Sequence, residues 1–411
     1  MKRIIFKKML VLMLMTILIL GLVSCSIINF PGIGAVTSYK LVDTGQTTSY
    51  DNDGVMISPS EGEDLYGQDA DYDGIEASFT DNGDGTVIDN ITGLIWQQIP
   101  TSEKMSWEEA EEYCENLELD GYDDWRLPTV KELFAIGDFE TGWPFLDTNY
   151  FEFAEASEML TGVDGGPQGS VEDGDQSEMM PPPNMDSEDL GSISKSQGQF
   201  WTSNFYYVGT THGGAPTAFG VNHATGHIKG YPSDVGGNMG KYVRAVRGES
   251  VAENNFIDNG DGTISDLSTG LMWMADDNGE GVEWGDALAY AEGLEYAEYD
   301  DWKLPNVKEL QSIVDYSGVY PAIDDSYFNY TELEENENYY YWTSTSAYFS
   351  PVSPENYYAW YVAFGYAVGP DGEDMHGAGA VRFSAKYAKS NATAEGGDNF
   401  MNSVRCVRII D

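Results

Sequence analysis

Asp81-Asn-Gly-Asp-Gly-Thr86 occurs again as Asp258-Asn-Gly-Asp-Gly-Thr263, 177 positions on. The same offset carries Thr92-Gly-Leu-Ile-Trp96 onto Thr269-Gly-Leu-Met-Trp273. It also carries Asp123-Asp-Trp-Arg-Leu-Pro128 onto Asp300-Asp-Trp-Lys-Leu-Pro305, so 81–133 matches 258–310 without a gap. A match of that length means that one domain was copied. The period is too long for a solenoid repeat or a propeller blade, so each copy is expected to be globular with its own core.

Inside each copy the local signals are strong. Asn82-Gly83 and Asp84-Gly85 are turn dipeptides that need positive φ. Thr86–Ile88 and Leu94–Trp96 flank a second turn at Thr92-Gly93, which predicts a β-meander. Ser106 and Glu109 form a capping box. The helix after them puts Ala110, Tyr113, Cys114 and Leu117 on one stripe, kept as Ala287, Tyr290, Ala291 and Leu294. Glu283 replaces the capping serine in the second copy. Thr129 with Glu132, and Asn306 with Glu309, open a second helix whose Leu133, Ile136, Leu310 and Ile313 form the buried side.

Trp201-Thr-Ser203, Ala218-Phe-Gly220 and Val243-Arg-Ala-Val-Arg247 return as Trp342-Thr-Ser344, Ala363-Phe-Gly365 and Val404-Arg-Cys-Val-Arg408. They read as closing strands. Strands, two helices, then strands predict an α+β class. The domains are then 76–249 and 252–411, behind a leader (1–24) and a lead-in (25–75) with extended pieces at Val36–Val42 and Gly54–Ile57. Residues 155–199 are rich in acids, proline and glycine, and are expected to form a mobile loop.

The leader has a basic start (Lys2, Arg3, Lys7, Lys8), an apolar run over 9–22 and Leu22-Val-Ser-Cys25. The run is short for a membrane span of about 20 residues. The pattern resembles a bacterial lipoprotein signal, with Cys25 lipidated and Ser26 directing the protein to the outer membrane. The expected location is the cell envelope, lipid-anchored. The chain has 69 acids against 20 cations, net −49. Such a surface repels nucleic acid, anionic lipid and sulfated polysaccharide, and attracts divalent cations.

Taken together, Asp-Asn-Gly-Asp-Gly-Thr, Thr-Gly-Leu-x-Trp, Asp-Trp-[Arg/Lys]-Leu-Pro, Lys-Glu-Leu, Trp-Thr-Ser and Val-Arg-x-Val-Arg resemble the Lcl C-terminal domain family. Tyr66-Gly-Gln-Asp-Ala70 resembles the segment that precedes the first copy in such proteins. The resemblance implies two tandem domains akin to C-type lectin-like and formylglycine-generating-enzyme-like folds. It also implies a link to polysaccharide binding through the founding adhesin. The family pattern further implies that single copies hold two cysteines, tying the first helix to the last strand. Here Cys114 aligns with Ala291 and Cys406 with Ala245, so each copy keeps one half. Two arrangements are open. A Cys114–Cys406 disulfide would join the copies by exchanged ends, closing a loop of about 290 residues worth on the order of 5 kcal/mol. Otherwise both thiols are free and buried.

Several residues are candidates for a site. Asp81, Asp84 and Asp89, with Asp258, Asp261 and Asp266, could supply oxygen ligands to Ca²⁺, although Gly83 and Gly85 depart from EF-hand spacing. The competing role is turn formation. Trp125 with Arg126, and Trp302 with Lys303, could stack on a sugar and grip its hydroxyls. Alternatively the Trp is core and the ion pair fixes the loop into the second helix. Tyr357, Tyr358, Trp360 and Tyr361 form the densest aromatic run, whose outward half would be a stacking platform. The lectin sugar motifs are absent. His223 and His227 flank Gly226, which indicates a turn rather than a metal-binding helix face.

Hydrolase and phosphate-loop signatures are missing. Ser192-x-x-Lys195 falls in the acidic loop, where nothing would desolvate Lys195. The reading is a surface-anchored, non-catalytic binding or adhesion lipoprotein whose ligand is carbohydrate or another extracellular molecule. A structural envelope protein that binds other envelope proteins is the alternative, and a hydrolase of unfamiliar type a third.

Overall fold

The computed structural model of the chain describes residues 39–140, 142, 144–154, 197–332, 339–347, 356–369, 372–388 and 400–410. The leader, Cys25, most of the acidic loop and the Ser192/Lys195 pair lie outside them.

The lead-in contributes a hairpin of β1 (Ser49–Tyr50) and β2 (Met56–Ile57). The first copy then runs β3 (Phe79–Asp81), β4 (Thr86–Asp89), β5 (Ile95–Gln97), α1 (Trp107–Glu115), α2 (Val130–Ala135), β6 (Gln199–Tyr206), β7 (Thr217–Asn222), β8 (His227–Pro232) and β9 (Val246–Arg247). The second repeats it as β10 (Phe256–Asp258), β11 (Thr263–Asp266), β12 (Leu271–Met274), α3 (Trp284–Glu292), α4 (Val307–Ser312), β13 (Tyr340–Ala347), β14 (Tyr358–Ala363), β15 (Val381–Ala385) and β16 (Val407–Ile409). The class is α+β, rich in strand.

The helix starts follow the capping chemistry. Ser106, Thr129 and Asn306 each accept from the N3 amide, and the N3 glutamate reaches back to each cap amide. Glu283 makes no side-chain cap, so α3 lacks this support. Each meander is closed by its own last strand: β9 pairs with β5, and β16 with β12.

The copies are not independent bodies. β8 of the first pairs with β15 of the second at Ile228 and Val381. The result is one six-stranded sheet, β13-β14-β15-β8-β7-β6, running through both copies. Strand alternation then sorts the side chains. On one face Phe219, Val221, Tyr358, Trp360 and Val362 join Val130, Leu133, Val307 and Leu310 in a single core that both copies share. On the other face each copy keeps its own core. Ala110, Cys114, Trp125, Trp201 and Ala245 form one, and Trp284, Leu288, Trp302, Tyr361 and Cys406 the other. The expectation of two separate cores therefore holds for one face of the sheet only.

The lead-in crosses from the first copy to the second. The Gln46 side chain donates to Ser346 O and accepts from Ser346 N. Thr47 bonds Glu140 of the first copy through its amide and its hydroxyl. Asp69 Oδ2 accepts from Thr44 Oγ1 at 2.8 Å and from Thr345 Oγ1 at 2.6 Å. Tyr72 donates to Glu292 at the end of α3. The sequences of the helices explain why the lead-in covers α3 and not α1. Gly285 and Leu288 lie where α1 has Glu108 and Glu111. A Cβ on Gly285 would stand 3.2 Å from Leu65 Cδ2, and Leu288 is fully buried. Carboxylates in those places would be desolvated.

Candidate functional site

Most residues singled out in the sequence hold the fold together. Asp81 accepts from the Gly83 amide, and Asp84 from the amide and hydroxyl of Thr86. Asp89 accepts from the Ile91 amide and the Thr92 hydroxyl. Asp258 and Asp261 repeat these bonds, and Asp266 accepts from Asn255, Ser268 and Thr269. All six carboxylates thus serve their turns. Among the described residues no group of three or more His, Cys, Asp or Glu is placed to hold a metal.

The Asp-Trp-[Arg/Lys] motif is likewise structural, which corrects its reading as a sugar grip. Trp125 and Trp302 are buried. Arg126 pairs with Glu132, and Lys303 with Glu309, at 2.8 Å in both cases. Each pair ties the loop to the glutamate of the next helix's capping box. The preceding aspartates, Asp124 and Asp301, bind Arg247 and Arg408 of the closing strands. The other arginine of each closing segment is buried. Arg244 donates to the carbonyls of Gln97 and Gln98, and Arg405 to those of Met274 and Ala275.

The aromatic run of the second copy is also core, so the expected platform is absent there. Tyr358, Trp360 and Tyr361 are buried because the central sheet is covered on both faces. Tyr357 is half-buried, its hydroxyl 3.0 Å from that of Tyr358. His223 and His227 are buried at the β7–β8 turn, one bonded to Leu133 O and the other to Thr225 Oγ1. Of the two cysteine arrangements the structure has the second: Cys114 and Cys406 are both free and buried. They lie in separate cores because each last strand closes on its own copy. Burial pushes the Cys114 thiol up to about 12 and raises that of Cys406 further, so both are protonated.

An exposed aromatic strip lies elsewhere. At the start of α1, Trp107 is half-buried, anchored by its indole N–H to Thr202 O at 2.7 Å. Its ring is 5.4 Å from that of Phe205, which is 5.0 Å from that of Tyr207. Tyr207 is 73% exposed. Gly318 of the second copy packs against it; a Cβ there would fall 2.7 Å from Tyr207 Cδ2. The next two residues, Val319 and Tyr320, are exposed, and Tyr320 lies 4.2 Å, ring to ring, from half-buried Tyr366.

This strip is built from both copies and stands out on a surface otherwise dominated by carboxylates. β6 supplies Phe205 after a register shift between Trp201 and Phe205, and Tyr207 follows its last residue. That irregularity could not be read from the sequence. The available signal was Phe205-Tyr-Tyr207 just after Trp-Thr-Ser, where the second copy has Ser346 in place of Phe205.

A family model described as the Lcl C-terminal domain matches residues 85–247 and again residues 262–408. No curated protein and no solved structure matches the chain.

Proposed function

The chain belongs to the Lcl C-terminal domain family, and from that premise we propose that it is a non-catalytic binding or adhesion protein for uncharged carbohydrate. On this reading it is a lipoprotein held at the outer membrane through Cys25. Its domains are relatives of the C-type lectin-like and formylglycine-generating-enzyme-like folds. The observation that carries the proposal is the strip Trp107–Phe205–Tyr207, continued by Val319 and Tyr320. Aromatic faces that are fixed at one edge and open at the other suit the apolar faces of sugar rings, at low entropic cost. The net charge of −49 selects against polyanionic glycans.

The test is calorimetry of the purified chain against uncharged hexasaccharides, beside the Tyr207→Ala variant. Binding by the wild type that falls at least tenfold in the variant, with unchanged thermal stability, supports the proposal. Equal binding by both, or binding only to a protein of the envelope, overturns it and favours the structural alternative.

A further inference from the structure

The two copies differ in how one repeated tryptophan is covered. Trp284 is the counterpart of Trp107, and its indole N–H bonds Thr343 O as Trp107 bonds Thr202 O. Trp107 is partly open, whereas Trp284 is fully buried. The hairpin β1–β2 of the lead-in lies next to it, with Asn52 beside Gly285. Lys386 lies with it, where the first copy has Ser233: the Trp284 amide bonds Lys386 O as the Trp107 amide bonds Ser233 O. The Lys386 ammonium stands 4.0 Å from the centre of a Trp284 ring. It donates to Tyr50 O at 3.3 Å and to Asp51 O at 3.2 Å, both on the hairpin.

We propose that Trp284 and Lys386 form a second saccharide face, held shut by the hairpin β1–β2. The inference rests on the carbohydrate reading of the open strip. What the hairpin supplies is two neutral acceptor oxygens above an aromatic face. An uncharged sugar offers the same: hydroxyl oxygens for the ammonium and C–H groups for the indole. A hydrocarbon or an anion-free aliphatic chain would leave the ammonium without acceptors. Burial lowers the Lys386 pKa well below the ordinary range, opposed by the Asp51 charge.

The cover is separable from the rest of the lead-in. Ser49 and Ile57 are paired across the hairpin, so Tyr50–Met56 can be replaced by two glycines while Gln46, Asp69 and Tyr72 keep their contacts. A milder variant, Asn52→Ala with Asp53→Ala, removes Asn52 from beside Gly285 and the carboxylate that accepts from Tyr387. Calorimetry uses the full chain with cellohexaose, laminarihexaose and chitohexaose.

We expect one site in the wild type and two in the shortened variant, the second lost on adding Lys386→Met. The milder variant should show the second site with affinity at least tenfold weaker. One site in the wild type and one in both folded variants overturns the inference and leaves the open strip standing. No site in the wild type but one in the shortened variant supports the covered face and refutes the open strip. No binding by any of them overturns both. If the shortened variant does not fold, the milder one decides alone.

Discussion

Lys308 of the second copy donates to the carbonyl oxygen of Ala135, the last residue of α2 in the first copy, at 2.9 Å. Its counterpart Lys131 reaches the other way, to Asn254 at 2.6 Å. The carboxylates around them are exchanged in the same manner. Lys308 faces Asp89 and Asp138 of the first copy, and Lys131 faces their equivalents Asp266 and Asp315 in the second. Burial holds both ammonium groups down, to about 8. The Lys-Glu-Leu motif thus has three duties: the lysine joins the copies, the glutamate caps and pairs, and the leucine enters the shared core.

Lys308→Ala should therefore destabilise both copies at once. It removes charge-assisted bonds to Ala135 O and Asp43 O and orphans a buried and a part-buried acceptor. The expected loss is on the order of 3 kcal/mol. Lys131→Ala breaks one bond, to Asn254, and should cost about 1 kcal/mol. Urea unfolding followed by tryptophan fluorescence should show one transition throughout. A change within about 0.5 kcal/mol for Lys308→Ala would show that the interface does not depend on this residue.

Asp69 should make the fold weaker as pH rises. Burial, opposed by its bonds to Thr345 and Thr44, pushes its carboxyl up to about 7. Unfolded, it ionises near 4. The stability is complete below pH 4, declines between 4 and 7 as only the unfolded form releases its proton, and is level above 7. Asp69→Asn keeps an acceptor for both threonines and should be more stable at pH 8 by roughly 2–4 kcal/mol. A variant weaker than wild type at pH 8 contradicts this.

His223 acts in the opposite direction. Its ring is buried, with Nε2 donating to Leu133 O and Nδ1 without a partner. Burial, followed by the Arg244 charge, pushes its pKa down to about 3. Stability is present above the unfolded value near 6.5 and is lost as pH falls towards 3. The windows of Asp69 and His223 overlap with opposite slopes. The wild type should therefore look nearly flat between pH 4 and 6.5. Asp69→Asn should reveal acid sensitivity, and His223→Gln should reveal the decline towards neutral pH. Parallel profiles for the two variants would rule out this pairing.

Thiol chemistry checks the cores. Cys114 and Cys406 are free, buried and protonated. Neither should react with an aromatic disulfide reagent in the native protein at pH 8, and both should react once it is unfolded in urea. Fast labelling of the native protein, or a peptide map showing them joined, contradicts the closed copies.

The parts of the fold that depend on local chemistry were legible. Capping boxes, turn aspartates and the Lys-Glu-Leu helix were readable because each is settled within a few residues. Repetition of Trp125 and Trp302 pointed equally to core or site, and only burial separates these. The dense Tyr357–Tyr361 run misled for a tertiary reason. Alternation implies an outward face only if the sheet has one, and here the second face is covered by α3 and the lead-in. The open strip was missed because it needs two segments, Phe205–Tyr207 and Gly318–Tyr320, that meet only after the copies dock.

Asp69 accepts from Thr345, a partner 276 residues further along the chain. As the chain emerges, the earliest described segment must therefore wait for nearly the last strands before it can settle. Contacts this distant in sequence slow folding and leave apolar surface waiting for its cover. The lead-in cannot be fastened until the second copy has been made. The duplicated molecule should assemble as a single late event, and a truncation before β13 should leave even the first copy's neighbouring segment unfastened.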